Sequence, residues 1–574
     1  MSNNQSFSRK YSSLLILMSL LVFATLLACQ AVPTLSPPTE PPSIPTFIPT
    51  TPTSEPEPAA TSTATTAPPV YVLNGQTVLP EALANLINQL NLPQPQSLAN
   101  EVVFSFEFNK PDPIGNWVYA LVAPFPTVTD VVSSNWLVTL WQGQPEGEIN
   151  RLLVSEDDLP ALTSVLGEPG ETVLTLPKED LLESAWTTQH TWAIIPFEEI
   201  QPRWKVLSID EQSPIHKAFD SNQYALTVPI SLIVADAELN ELPPGLQDLR
   251  FSNLDSSKIT TVMLTGVTAL VRATAVGMDE RGVLVPGEHL APIMQEVDIL
   301  HISNEVPFAE ECPAHTAGNY LRFCSPADYM ELLRYIGTDI VELTGDHFQD
   351  YGEESMLYTL DLYTQAAIPY YGGGKDIIDA RKPVKLEVNG NKFAFIGCNA
   401  KDPSFARASE SSTGAYHCEM DYMAHTVRSL RDEGYLPIAT FQHEEVYTWS
   451  PVHAIERDFK LVADAGAIIA SGSQAHVPHY AEFYEGSFLH YGLGNLFFDQ
   501  KGIQPNTDIG FLDRHVFYEG RYLGVELIPI WFIDKVQPRL MTPEEKADTL
   551  GVMFDTMRMW WKDEDNQPVR PDWK

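Results

Sequence analysis

The chain has 574 residues, of which 44% are hydrophobic, so it is long enough to bury the cores of two or more domains. Its 35 basic and 75 acidic residues leave a formal charge of −40. This balance argues against nucleic acid or an anionic membrane surface as the main partner. It is compatible with the binding of metal cations, although most of the acidic side chains are expected on a solvated surface.

Residues 1–29 have the pattern of a secretory signal. Arg9 and Lys10 precede an apolar stretch, Leu14–Leu27, that is too short to span a bilayer comfortably. The stretch closes with a Leu-Leu-Ala-Cys sequence that ends at Cys29 and resembles the lipobox of bacterial lipoproteins. That resemblance implies that Cys29 is acylated and anchors the protein in the lipid bilayer, outside the cytoplasm. An ordinary secretory signal and an N-terminal helical anchor are the alternatives.

Residues 30–69 are predicted to be a disordered tether rich in proline and threonine. The segment contains twelve prolines and no glycine. Such a composition buries too little apolar surface to fold and favours the extended polyproline II conformation. The tether would hold the folded part of the protein away from the membrane.

Four cysteines follow Cys29, and their even number in an exported protein predicts disulfides. Local pairing, Cys312 with Cys324 and Cys398 with Cys418, is the simplest of the three connectivities that four cysteines allow. A zinc site is less favoured because no Cys-x-x-Cys spacing occurs.

Residues 70–250 are predicted to form a small α/β accessory domain. Two apolar runs, Trp117–Pro126 and Trp192–Phe197, have the composition of buried strands. Asp157–Leu166 and Lys178–Ala185 have helical spacing. The region faintly resembles part of a periplasmic solute-binding domain of the type-two class, and a scaffold or spacer role is the alternative.

Residues 258–535 are predicted to form a second α/β domain, followed by a helical tail at 536–574. Twelve of the 14 histidines lie from His289 onward, which places any chemistry in this region. The pattern repeats a short apolar strand, a polar turn and a helical segment. The predicted strands are Ile259–Leu264, Val297–Ile302, Asp339–Val341, Phe393–Ile396, Pro437–Phe441, Ala467–Ala470 and Ser487–His490. The predicted helices are Ser325–Ile336, Glu353–Ala367, Tyr422–Glu433 and Ile455–Ala465.

Polar residues concentrate where these strands end. The turn Leu343–Gly352 carries Asp346, His347 and Asp350, and most of the other strand ends carry Asn, Asp, Glu or His. In open α/β sheets, ligands bind at the carboxyl ends of the strands. Carboxylates and imidazoles brought to one rim could hold one divalent metal ion, or two that lie roughly 3.5–4 Å apart.

At this point the chain resembles a known family. Thr344–Gly352, Gly472–Pro478 and His490–Asp499 are similar to signature blocks of the CapA family of bacterial capsule synthesis proteins, the poly-γ-glutamate type. Ile368–Gly374 matches a further block, and Asn304-Glu305 matches another loosely. That family is similar in fold to calcineurin-like metallophosphoesterases. The resemblance therefore implies an α/β metallophosphatase sandwich, two β-sheets flanked by helices, preceded by the smaller α/β domain.

The resemblance also implies site residues. His347 would be a catalytic group, as a metal ligand or proton donor, with Asp350 as its partner. The metal ligands would be Glu305, Asp346, His443 and His476. Further residues expected at the site are Asn304, Glu444, Glu445, Gln474 and Asn495. The cofactor would be a divalent ion of Mn, Zn, Fe or Mg.

Two positions depart from the family pattern. A metal-binding Asp of the family is Val267 here, and the first His of its late block is Gln474. Valine cannot bind a cation, and an amide oxygen is a poor ligand for a transition metal. One remaining metal, an altered site and no metal are all compatible with these departures.

Three functions follow as hypotheses. The first is a surface lipoprotein that makes, transfers or anchors a capsule polymer, with a metal-dependent hydrolase activity whose proton is handled by His347. The second is a non-enzymatic protein with a degenerate metal site that binds the anionic polymer or its membrane synthesis machinery. The third is a solute receptor for a transporter.

Overall fold

The structure is a computed structural model that describes residues 70–75, 78–89, 91–92, 101–234, 246, 250–318, 320–401 and 406–558. The signal segment with Cys29, the whole tether and the last part of the tail lie outside the described residues. Among the described residues, no helix is both long enough and apolar enough to cross a lipid bilayer.

The first sheet is built by the N-terminal part of the chain and has eight strands. Seven of them lie in the spatial order Val70–Leu73, Glu101–Phe108, Thr227–Val234, Gly115–Pro124, Thr191–Pro196, Arg151–Ser155 and Val173–Leu176, and Trp204–Val206 pairs with the fourth. The helices of this part are Glu81–Asn88, Ser134–Trp141, Leu159–Leu166 and Leu181–Thr187. Both predicted strands and both predicted helices are therefore present.

A second sheet of nine strands begins the C-terminal part. Seven strands lie in the order Tyr370–Tyr371, Ile340–Glu342, Ile299–Asn304, Ile259–Thr265, Ile509–Tyr518, Arg521–Phe532 and Pro538–Leu540, and the short strands Val267–Thr268 and Asn495–Phe497 are attached to them. A third sheet of six strands has the order Val384–Val388, Asn391–Asn399, Leu436–Gln442, Ile469–Ser473, Ser487–His490 and Ala481–Tyr484.

Helices accompany these two sheets. They are Arg272–Arg281, Ala291–Met294, Met330–Tyr335, Gly352–Gln365, Ile377–Ala380, Met420–Asp432, His453–Asp464 and Pro543–Arg558. The helix His453–Asp464 shows why they pack: Ile455, Phe459 and Val462 are buried on one face, and the Phe459 ring stacks on Phe441 at 4.7 Å. The two-sheet α/β sandwich expected from the resemblance is confirmed.

Parallel pairing brings the polar turns together. Ile299–Asn304 runs parallel to Ile340–Glu342, and Leu436–Gln442 runs parallel to both of its neighbours, Asn391–Asn399 and Ile469–Ser473. These strands are almost completely buried, which explains their apolar composition. Because their carboxyl ends lie at one edge of each sheet, the residues that follow the strands can meet.

The N-terminal part and the C-terminal part contact each other through aromatic side chains. Phe125 packs on Phe483, Phe488 and Phe554 with ring centroids 5.0–5.9 Å apart. The boundary between the two predicted domains stays a prediction.

The four cysteines pair locally in the structure. One disulfide joins Cys312 to Cys324, and the other joins Cys398 to Cys418. This is the connectivity expected from the sequence.

Candidate metal site

The turn that follows strand Ile340–Glu342 lies directly against Glu305. A Cβ atom at Gly345 would stand 2.1 Å from the Glu305 carbonyl oxygen, a separation that no real side chain tolerates. Glycine is therefore required for the close approach of these two strand ends. As a result the next two residues of the turn, Asp346 and His347, lie beside the Glu305 carboxylate.

Glu305, Asp346 and His347 form a compact cluster. One ligand atom from each residue lies within 4.8 Å of the others. Glu305 is only 2% exposed, and its Oε2 has no hydrogen-bond partner; the same holds for Asp346 Oδ1. A buried carboxylate oxygen without a donor is costly, so two of them at one place indicate that a cation belongs there.

Asp350 fixes the orientation of the His347 ring. His347 Nδ1 lies 2.7 Å from Asp350 Oδ2, which also accepts from the backbone N–H of Phe323 at 2.7 Å. Since a carboxylate can only accept, Nδ1 carries the hydrogen and Nε2 is the nitrogen that faces Glu305, 3.9 Å from its Oε1. A carboxylate behind the imidazole in this way is typical of histidines that ligate metals or move protons.

The cluster perturbs the pKa values of its own members. Burial, together with the charge of Asp346, raises the pKa of Glu305 to about 8. Burial alone would lower the pKa of His347, but the hydrogen bond to Asp350 and the charges of Glu305 and Asp346 raise it to about 9. In the absence of an ion, the Glu305–His347 pair therefore holds its protons more tightly than two free side chains would.

Lys401 also belongs to the site, although the sequence interpretation did not single it out. Its Nζ lies 2.6 Å from Asp346 Oδ2 and 2.7 Å from Glu445 Oε1. Its position could have indicated the role. Lys401 follows the strand Asn391–Asn399 by two residues, and a basic residue at a strand end stands out where the other strand ends carry acidic residues.

Glu445 lies at the rim of the site and is 36% exposed. Burial tends to raise the pKa of this carboxyl, but the hydrogen bond and the charge of Lys401 lower it to about 2, so Glu445 is ionised. Its Oε1 also accepts from Gln474 Nε2 at 3.3 Å. Gln474 is completely buried, and its own Oε1 has no partner.

His476 lies beside this group but outside the three-residue cluster. Asn495 Nδ2 donates to the carbonyl oxygens of His476 and Thr507, which turns Asn495 Oδ1 towards the imidazole. His476 Nδ1 then donates to Oδ1 at 2.9 Å, and Nε2 keeps its lone pair. Burial lowers the pKa of His476, so the ring is neutral. Asn495 therefore orients His476 rather than serving only as a turn residue.

His443 does not point into the cluster. Its Nδ1 accepts from the backbone N–H of Glu444 at 2.9 Å, and its Nε2 donates to Asp458 at 3.1 Å. With both nitrogens engaged, His443 is not available as a ligand in this structure, which differs from the expectation. Glu444 itself is exposed.

Asn304 and Val267 are both buried at the same edge. Asn304 Nδ2 donates to the Val306 carbonyl oxygen at 2.9 Å and to the Tyr363 hydroxyl at 3.0 Å. Val267 pairs with Ser303 and Asn495 and belongs to a small apolar cluster, so it offers no ligand atom at the place of the family's aspartate.

These residues fit one divalent ion rather than two. Two carboxylates and one imidazole are a common donor set for such ions, and the unpartnered oxygens of Glu305 and Asp346 are the donors that an ion would satisfy. Within the part of the chain that the structure describes, no other three acidic, histidine or cysteine side chains converge in this way.

Comparisons with solved structures give only remote similarity. The chain resembles the NAD nucleotidase NadN of Haemophilus influenzae with a TM-score of 0.32 and 11% identity, over 52% of this chain and 56% of that one. It resembles a 5'-nucleotidase precursor from Thermus thermophilus with a TM-score of 0.31 and 13% identity, over 53% of this chain and 60% of that one. Scores this low carry no argument about function.

Comparisons of sequence are more specific. The capsule biosynthesis protein CapA of Bacillus anthracis is 23% identical over 248 residues, which is 42% of this chain and 60% of the relative. The PGA biosynthesis protein CapA of Bacillus subtilis (strain 168) is 21% identical over 234 residues, 41% of this chain and 61% of the relative. The chain thus spans about three fifths of the length of both relatives. Residues 263–500 match the model of the family described as bacterial capsule synthesis protein PGA_cap.

Proposed function

We propose that the chain acts in bacterial capsule biosynthesis, by making, transferring or anchoring an anionic polymer of the poly-γ-glutamate type. The family of residues 263–500 and the names of both CapA relatives support this role. The protein works outside the cytoplasm, with acylated Cys29 as its membrane anchor and the tether as a spacer. Its partners are the polymer or the membrane machinery that synthesises it.

A metal-dependent hydrolase activity is the finer part of the proposal. The observation that carries it is the buried, unpartnered Glu305 Oε2 beside Asp346 and His347. Glu305, Asp346 and His347 would hold one divalent ion of Mn, Zn, Fe or Mg. When bound, such an ion polarises a phosphoryl or carbonyl oxygen and provides a nucleophile at neutral pH.

The protein's own groups position the ion and the substrate. Asp350 keeps the His347 ring in place, so that Nε2 would be the ligand atom of His347, and a nitrogen bound to the ion holds no proton. Lys401 balances two carboxylates and adds a positive charge that attracts an anionic substrate. Without Lys401, the negative charges of Asp346 and Glu445 would repel such a substrate.

The hydrolase proposal is tested with the purified full chain. Metal content is measured after incubation with each ion, and hydrolysis of a generic phosphodiester is followed. We expect bound metal and an activity that His347→Ala reduces about 100-fold or more. The matched control is His453→Ala, because the side chain of His453 is 90% exposed and is not one of the three residues of the cluster. If the native protein binds no metal and neither it nor His347→Ala hydrolyses the substrate, the hydrolase proposal is wrong.

A non-enzymatic role in capsule assembly is the second candidate. It is favoured by Val267 and Gln474, which stand where the family has an aspartate and a histidine. In that case the native chain binds no Mn²⁺ and the double variant V267D/Q474H gains binding. Binding of Mn²⁺ by the native chain would contradict this second candidate. The role of a solute receptor stays a prediction.

A further inference from the structure

Lys401 occupies the space between two carboxylates from different strand ends. Its ammonium lies within charge-assisted hydrogen-bond distance of both Asp346 Oδ2 and Glu445 Oε1, at 2.6 and 2.7 Å. Asp346 and Glu445 follow strands of two different sheets, so this one side chain ties the two sheet edges together. The ammonium thus places a positive charge between two carboxylates, as a bridging metal cation would.

Asp346 faces two ways. Its Oδ2 binds Lys401, whereas its Oδ1 is buried and has no partner. Glu305 Oε2 and Gln474 Oε1 are also unpartnered, and these two side chains are 2% and 0% exposed. Lys401 therefore leaves buried acceptor oxygens on Asp346, Glu305 and Gln474 without a partner. A carboxylate that bridges two cations binds one with each oxygen. Asp346 has this arrangement in part, because one oxygen binds the Lys401 ammonium and the other is free for an ion.

Two buried residues near these strand ends offer little to a second ion. Val267 belongs to a small apolar cluster and has no ligand atom, and Gln474 offers only an uncharged amide. We propose that the ammonium of Lys401 takes the place of a second metal ion, so that the site holds a single divalent ion beside a covalently fixed positive charge. This inference rests on the metal site of the proposed function. The two adjacent positive charges would bind one anionic oxygen of a phosphate or carboxylate between them.

The test is the stoichiometry of Mn²⁺ binding to the full chain, measured by calorimetry and by the spin coupling of bound Mn²⁺ in electron paramagnetic resonance. The native chain is expected to bind one ion. Lys401→Ala is expected to bind two ions with a coupled spectrum, because the Asp346 and Glu445 oxygens that bind Lys401 are then free to act as ligands. Lys401→Arg keeps the charge and is expected to bind one ion.

Lys178→Ala is the matched control. Lys178 also bridges two carboxylates, Glu81 and Glu199, but on an exposed surface without a buried unpartnered oxygen. Its loss is expected to leave one ion bound. Lys401→Met keeps a long apolar side chain but removes the charge, so it is expected to bind two ions like Lys401→Ala. Circular dichroism checks that both variants are folded.

The outcomes separate this inference from the metal site itself. Two ions on the native chain, or one ion on the native chain and also on Lys401→Ala and Lys401→Met, would overturn the replacement by lysine while the metal site stands. No ion on the native chain and one ion on Lys401→Ala would support the replacement and contradict the native metal site. No binding by either chain would overturn both.

Discussion

At the scale of single residues, the site is governed by competition between protons and a cation. Glu305 and His347 face each other across 3.9 Å, and their pKa values are raised to about 8 and about 9. An ion that binds both groups must displace their protons. The affinity for the ion is therefore expected to increase as the pH rises.

The affinity for Mn²⁺ is expected to rise with pH and to level off above about pH 9. Because the pKa values of both groups are raised, the ion must displace protons from the pair, and each displaced proton weakens binding by about tenfold per unit of falling pH. Calorimetry in buffers of different ionisation enthalpy measures the affinity and the protons released. An affinity that does not change between pH 7 and pH 9 would show that the ion does not bind these groups.

The Asp350 carboxylate is the second residue whose role can be measured. Asp350→Asn removes the negative charge at Nδ1 but keeps the shape of the side chain. The pKa of His347 is expected to fall from about 9 towards the ordinary value of about 6.5. Nuclear magnetic resonance titration of the imidazole measures this shift in metal-free protein. An unchanged pKa would mean that Asp350 does not hold the ring.

Some residues of the site could be predicted from the sequence, and others could not. Asp346, His347 and Asp350 were found because they share one turn after one strand. Lys401 was missed because its partners Asp346 and Glu445 are 55 and 44 residues away along the chain. The direction of the His443 ring depends on Asp458, a contact that no local pattern shows.

At the scale of elements, the site depends on the short distance between the carboxyl ends of two parallel strands, Ile299–Asn304 and Ile340–Glu342. The turn after Ile340–Glu342 approaches the Glu305 backbone only because residue 345 has no side chain. The seven strands predicted in this region are all present, since their apolar runs and polar ends are local features. Their order within the sheets depends on long-range pairing, for which the sequence carries no local signal.

Gly345→Ala tests this close approach. The added methyl group must push the turn away from Glu305, so we expect a loss of about 2 kcal/mol in the free energy of unfolding and weaker binding of Mn²⁺. Gly551→Ala is the control, because Gly551 has open space around it and lies in the helix Pro543–Arg558, where alanine is favoured. Denaturant unfolding and calorimetry measure both effects. Equal stability and equal affinity in the two variants would refute the requirement for glycine.

At the scale of the whole molecule, one acidic chain combines an N-terminal sheet with two further sheets in the region that matches the capsule synthesis family model. The two-sheet fold could be predicted, because family blocks and alternating elements agree. The N-terminal sheet could be predicted only as α/β: its third strand in space, Thr227–Val234, comes from a distant part of the chain and separates Glu101–Phe108 from Gly115–Pro124. The packing of Phe125 against Phe483 and Phe488 likewise joins distant segments.

The central claim is that one divalent ion binds at Glu305, Asp346 and His347. Anomalous diffraction from crystals of the full chain soaked in Mn²⁺ tests it most directly. The account predicts a single strong peak in bonding contact with these three side chains, and no peak between Asp346 and Glu445, where Lys401 lies. Absence of a peak at the three residues, or a peak elsewhere only, would contradict it.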